Sequence, residues 1–171
     1  VIILSSTGNV DSNYINKKIE FHLINSIYPK VLSRSRLSII QKIIYKLAVL
    51  QRKLIYKGSV FDKGKGLEKL LIKKINTIIE KRCIDNIIVS GAPFSFLYFI
   101  TKHYKHKINI ICDFRDPWTW GIGYGMTSLS KKRMEYEKMC EKKVLKNSNF
   151  ILCASQDLAK VLNLKLKQFN K

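Results

Sequence analysis

From residue 86 onward the chain alternates short, unbroken apolar runs with helical patterns, and this alternation constrains the fold more than any other feature. Residues 86–89, 108–112 and 150–154 read as strands, and residues 94–103, 129–146 and 156–164 read as the helices that follow them. Such a βαβαβα series predicts an α/β domain: a Rossmann-like, mostly parallel sheet with helices on both faces. The runs Ile87-Ile88-Val89, 108–112 and Ile151-Leu152-Cys153 are continuous rather than alternating, as strands covered on both sides should be. Upstream, residues 1–4 and 19–24 are further strand candidates, residues 36–56 carry a broad amphipathic helical pattern, and residues 67–81 a second one after the turn-rich stretch 58–66. The whole of residues 1–171 reads as a single domain.

Polar side chains cluster where the apolar runs stop. Asp113-Phe114-Arg115-Asp116-Pro117-Trp118 follows directly on the run 108–112, Ser90-Gly91-Ala92-Pro93 follows 86–89, and Ser155 follows 150–154. In an open parallel sheet ligands bind beyond the carboxyl ends of the strands, so these residues are the candidate site. Asp113, Arg115 and Asp116 are candidate ligand contacts together with Ser90 and Gly91, and the indoles of Trp118 and Trp120 are suited to stacking on a sugar ring. Gly91 permits close backbone approach, and the amide groups at the helix start after Pro93 are a candidate anion seat. Each has a plainer reading too: a salt-bridged turn at 113–116, a helix start at 93, an N-cap at Ser155, and Trp118 as a lid over the core. Gly121, Gly123 and Gly125 form GxGxG well downstream of a strand, which is not a dinucleotide fingerprint.

The formal charge of +20 predicts attraction to a polyanion without saying which one. The four cysteines lack CxxC spacing and read as reduced thiols, and the two histidines at 103 and 106 lack a third ligand nearby, so no metal site is expected. Between Lys30 and Arg82 fifteen basic residues face three acidic ones. The helix in that stretch is a candidate interfacial helix, with Lys42, Lys46, Arg52 and Lys53 turned toward an anionic membrane surface and Ile40, Ile43, Leu47 and Leu54 below them. The competing expectation is that this apolar face packs against the sheet and the lysines face water.

Ser90-Gly91-Ala92-Pro93-Phe94-Ser95, then 113–119, then 141–146 leading into 150–155, resembles the amino-terminal, acceptor-side domain of bacterial family-4 glycosyltransferases, retaining enzymes of the GT-B architecture. The resemblance covers about residues 85–162 and is weaker upstream. There, residues 1–7 and 19–24 look like the family's second and third strands, with the first βα unit lacking, or alternatively like strand one with a degenerate loop at Thr7-Gly8-Asn9. The chain starts without Met, and the resemblance implies a fragment whose donor-binding second domain would follow Lys171. It further implies a hexosyltransferase-type parent that moves a sugar from a nucleotide-sugar donor to a cell-envelope or polyprenyl-phosphate-linked acceptor. No cofactor would be held by this half, which alone would be inactive, and the setting would be cytoplasmic or peripheral on the inner face of the membrane. Many members have a His after the strand that ends at Cys112; this chain has none there, so the resemblance implies that Asp116 or Arg115 takes its catalytic role, with Asp113, Ser90, Gly91, Trp118 and Trp120 as acceptor contacts. Glu141 matches a family position but, flanked by Lys142 and Lys143, reads as a surface or strut ion pair. The alternative function is a basic nucleic-acid-binding or other non-catalytic α/β module, disfavoured because Asp113 and Asp116 would repel a phosphate backbone and no recognised nucleic-acid motif is present.

Overall fold

The computed structural model describes residues 2–5 and 20–169. In chain order the elements are β1 (Ile2–Ser5), β2 (Glu20–Leu23), a 3-10 turn at Lys30–Ser33, α1 (Ile39–Ile55), α2 (Glu68–Lys81), β3 (Asn86–Gly91), α3 (Phe94–Tyr104), β4 (Asn109–Phe114), a 3-10 turn at Met126–Ser128, α4 (Lys131–Asn147), β5 (Phe150–Cys153) and α5 (Gln156–Phe169). The protein is an α/β chain with, among the described residues, a three-stranded parallel sheet, β3-β4-β5, and five α-helices in a Rossmann-like arrangement; β1 and β2 form a separate parallel pair. The loop Thr7-Gly8-Asn9, on which the alternative assignment of the first strand turns, lies outside the described residues.

Register sets which residues share a face. Val89 pairs with Cys112 and Cys112 with Ile151, while Gly91 pairs with Phe114 and Phe114 with Cys153. These rows point at α3 and α4, which pack on each other, and there they meet Phe94, Leu97, Ile100, Cys140 and Val144 in one buried cluster. Removing a side chain such as Leu97 or Phe114 from water stabilises the fold by about 1.5–3 kcal/mol. The alternate rows, Ile88-Ile111-Phe150 and Ser90-Asp113-Leu152, point the other way. Ile88 and Phe150 on that outer face are 65% and 63% exposed. The expected α/β class is therefore present, but the outer face of this sheet is open among the described residues, and the continuous apolar runs do not correspond to strands covered on both sides. Continuity reflects apolar residues in both rows; it does not specify that something covers each row.

The helices begin where local chemistry allows. Ser38 caps α1 with a complete capping box, its Oγ accepting from Gln41 N at 3.3 Å and its own N donating to Gln41 Oε1 at 3.2 Å. Ser155 Oγ accepts from Leu158 N at 3.2 Å, which bears out the N-cap reading for α5. The chain leaves β3 through Gly91-Ala92-Pro93, both of whose peptide bonds are cis.

The turn-rich stretch between α1 and α2 is fastened to the body by charged groups. Asp62 is buried: its Oδ2 accepts from Ser95 N at 2.9 Å, and its Oδ1 accepts from Ser95 Oγ at 2.6 Å and from Gly64 N at 2.8 Å. Arg52 lies between the rings of Tyr28 and Tyr56, 4.8 Å from each centroid, and donates to the carbonyls of Val60 at 2.7 Å and Asp62 at 2.9 Å. It is 3% exposed, so it cannot belong to a membrane-facing stripe; it is an internal strut that satisfies backbone carbonyls of the turn.

Candidate functional site at the carboxyl ends of the strands

The parallel register puts Ser90 directly beside Asp113, both on the open face of the sheet and one position short of the strand ends. Ser90 Oγ donates to Asp113 Oδ2 at 2.5 Å, and Arg115 Nε donates to the same oxygen at 3.2 Å. Asp113 is tucked in, with a 17% exposed side chain, whereas the Arg115 side chain is 72% exposed. A hydroxyl and a guanidinium thus fix one carboxylate oxygen, and the other, Oδ1, keeps its capacity to accept from a ligand hydroxyl. The guanidinium has further N–H groups available for an anionic oxygen.

Asp116 is brought to the same edge but into different company. Its Oδ2 accepts from Tyr124 Oη at 3.2 Å, across the loop that follows β4. Tyr124 meets Phe94 edge to face at 5.2 Å, and Phe94 stacks on Trp118 at 5.0 Å with the rings 8° from parallel. Burial and the neighbouring Asp116 carboxylate push the Tyr124 phenol above its usual range, so it serves as a donor to Asp116 at neutral pH.

Three expected contacts are placed elsewhere. Trp118 is 1% exposed, stacked on Phe94 and donating through Nε1 to Glu137 Oε2 at 2.8 Å, so its ring is a core lid and is not open to a sugar. Gly91 is buried and faces the helix side; a Cβ there would meet Leu97 Cδ1 at 2.8 Å, so this glycine serves helix-to-strand packing rather than acceptor contact. The anion seat at the start of α3 is already filled by the Asp62 carboxylate, which takes Ser95 N. Trp120, by contrast, is 39% exposed, with Lys165 Nζ 5.7 Å from its ring centroid.

Beneath the loop lies a set of buried charges on α4. Glu137 and Glu141 are one helical turn apart on the face that also carries Cys140 and Val144. Glu137 Oε1 accepts from Lys65 Nζ at 2.7 Å and from Ser59 N at 2.6 Å, and Trp118 takes the other oxygen. Glu141 Oε2 accepts from Thr119 Oγ1 at 2.6 Å and from Lys165 Nζ at 2.5 Å, so of the two expectations, surface pair or strut, it is the strut, and a buried one. These groups lock 58–66 and the start of the 118–125 loop to α4, and so hold the rim residues in place. Asp62, Lys65 and Glu137 escaped the sequence reading. The available signal was a carboxylate at an apolar position of a helical stripe, since Glu137, Cys140, Glu141 and Val144 all face one way.

A cavity of about 610 Å³ opens beside this network, lined by Lys65, Glu137, Trp118, Tyr98, Tyr136 and Cys140 among others, on the helix side of the sheet and away from the Ser90-Asp113-Arg115 cluster. Among the described residues no three His, Cys, Asp or Glu side chains gather as metal ligands. His103 instead pairs with Glu68, 3.0 Å from Oε1, beside Lys102 at 2.8 Å.

Comparison with protein-family models, with curated proteins and with solved structures returned no match.

Proposed function

We propose that this chain forms the acceptor-side half of a sugar transferase, with the acceptor held at the carboxyl ends of β3 and β4. The observation that carries the reading is the convergence of Ser90 and Arg115 on the Asp113 carboxylate at the open strand edge, where parallel α/β sheets bind ligands. In this reading Asp113 accepts from an acceptor hydroxyl and the exposed Arg115 guanidinium grips a phosphate on the acceptor. Asp116, held by Tyr124, receives a hydrogen bond from the attacking hydroxyl. The hydroxyl oxygen bonds to the anomeric carbon of the donor sugar, the nucleoside diphosphate departs with the bonding electrons, and the hydroxyl proton is released. Trp120, partly exposed beside Lys165, is the accessible indole in this reading. The donor would be a nucleotide sugar bound by a second domain, and the acceptor a polyprenyl-phosphate-linked or cell-envelope sugar; both follow from the resemblance of 90–95, 113–119 and 141–155 to family-4 glycosyltransferases.

The test is a titration of the protein with a short-chain prenyl diphosphate sugar, followed residue by residue through amide chemical shifts. The reading expects shifts grouped at Ser90, Asp113, Arg115 and Trp120, lost in Arg115→Ala. Shifts confined to the cavity beside Lys65, or none at millimolar ligand, would sink it.

A further inference from the structure

We propose that α1 and the turn before it form an interfacial anchor that seats the protein on an anionic lipid bilayer. The proposal starts from an exposure that the amphipathic pattern alone leaves undecided. The apolar face of α1 does not pack against the sheet. Ile43, Leu47 and Leu54 are 57%, 60% and 80% exposed, and Ile40, Ile44 and Leu50 are open as well.

This exposure is not a sign of a loosely attached helix. α1 is held to the body by the side adjoining that face, through buried Ala48 and Arg52. Its end is clamped by Arg133, which donates to the carbonyls of Tyr56 at 2.9 Å and Gly58 at 2.7 Å and also to that of Lys53. With Pro29 and Val31 the exposed face encloses an apolar groove of about 580 Å³. At 17 residues the helix is roughly 25 Å long, and among the described residues no helix is long and apolar enough to cross a membrane, so insertion would be shallow and parallel to the surface.

Charge selects the occupant. Between residues 21 and 61 there are eight Lys or Arg and no Asp or Glu. Lys42, Lys46 and Lys53 run as a stripe along one border of the apolar face, exposed and without a salt bridge among the described residues. A second copy of the chain seated on this face would set cations against cations, since a two-fold interface uses the same patch twice. A nucleic acid would neutralise the lysines but leave the isoleucines and leucines in water. An anionic bilayer satisfies both, with acyl chains beneath the apolar face and headgroup phosphates along its border.

Arg133 lies at the start of α4, so the clamp fixes the end of α1 on the helix side of the sheet. The anchor does not depend on the sugar-transfer reading, and its test contains no sugar.

The experiment is flotation of the protein with vesicles of phosphatidylcholine alone or mixed about seven to three with phosphatidylglycerol. The expected result is partitioning at least about tenfold stronger to the anionic vesicles, weakened by salt and reduced about tenfold both by Ile43→Gln/Leu47→Gln/Leu50→Gln and by Lys42→Glu/Lys46→Glu/Lys53→Glu. If the triple glutamine variant melts early, Leu47→Trp in the otherwise native chain gives a second reading: its added emission should shift to the blue on anionic vesicles and be quenched by brominated acyl chains. No binding to either vesicle, or equal binding to both, overturns the proposal. So does self-association that the glutamine variant abolishes in the absence of vesicle binding, or retention of RNA that the glutamine substitutions leave intact in a protein that ignores vesicles.

Discussion

Ser90 and Asp113 face each other across neighbouring parallel strands, and the 2.5 Å hydrogen bond from the serine hydroxyl to Asp113 Oδ2 follows from that register alone. Arg115, two residues on, folds back to the same oxygen. Because the pair stands on the open face at the strand end, it contributes little to the core and is free to serve a ligand.

Ser90→Ala should therefore cost about 1 kcal/mol or less of stability in urea unfolding. Ligand-induced amide shifts at Arg115 should nonetheless weaken, because Asp113 is no longer fixed from two sides. An unaltered ligand response would show that the hydroxyl has no positioning role.

The two tryptophans should separate sharply. Trp118→Ala removes a fully buried, stacked indole and leaves an oxygen of Glu137 without its donor, so a loss of about 3–5 kcal/mol is expected. Trp120→Ala, at a half-open position, should change stability by under about 1 kcal/mol and affect binding instead. Denaturant curves for the two variants read this directly.

Glu137→Ala should be among the most damaging single changes, about 3–5 kcal/mol, because it strands the Lys65 ammonium in a buried site. Replacing both, as Lys65→Met with Glu137→Leu, should recover part of that loss. A double variant that is less stable than the sum of the singles would contradict the assignment of the cost to an unpaired buried charge.

Asp62 predicts a pH dependence with a definite sign. Burial holds its carboxyl above the usual range, with the opposing hydrogen bonds from Ser95 and Gly64 only partly offsetting it. The folded state therefore binds this proton more tightly than the unfolded chain, and the associated stability is full below the ordinary carboxyl range and declines as pH rises from there through the higher folded value. Asp62→Asn should flatten the stability profile in that window, at the expense of weaker hydrogen bonding to Ser95. A profile identical to the parent's would exclude Asp62 as the group responsible.

Thiol chemistry offers a simple check on the core. Burial raises Cys112 and Cys140 to about 11, whereas Cys83 is exposed. Native protein should show a fast thiol toward a disulfide reagent at pH 8, assigned to Cys83 by its loss in Cys83→Ser, a slower one at the partly buried Cys153, whose thiol burial also raises, and Cys112 and Cys140 reacting only after unfolding.

The order of strands and helices from residue 86 onward was legible in the sequence, because strand and helix periods are local properties of the chain. The position of Asp113 and Ser90 at one edge was legible too, since parallel strands joined through helices bring their ends together. What sequence could not decide was which way individual side chains turn. Arg52 carries the same charge as Lys53, yet it is buried between two tyrosines while Lys53 is exposed, because only the folded turn supplies the carbonyls of Val60 and Asp62. Trp118 and Trp120 differ for the same reason: one meets Phe94 and Glu137, the other meets water and Lys165. The amphipathic pattern of α1 likewise determined that an apolar face exists, but its exposure was decided by the tertiary structure, where Ala48 and Arg52 on the adjoining side make the contact with the body. Periodicity specifies a surface; only packing between segments distant in sequence determines what, if anything, covers it.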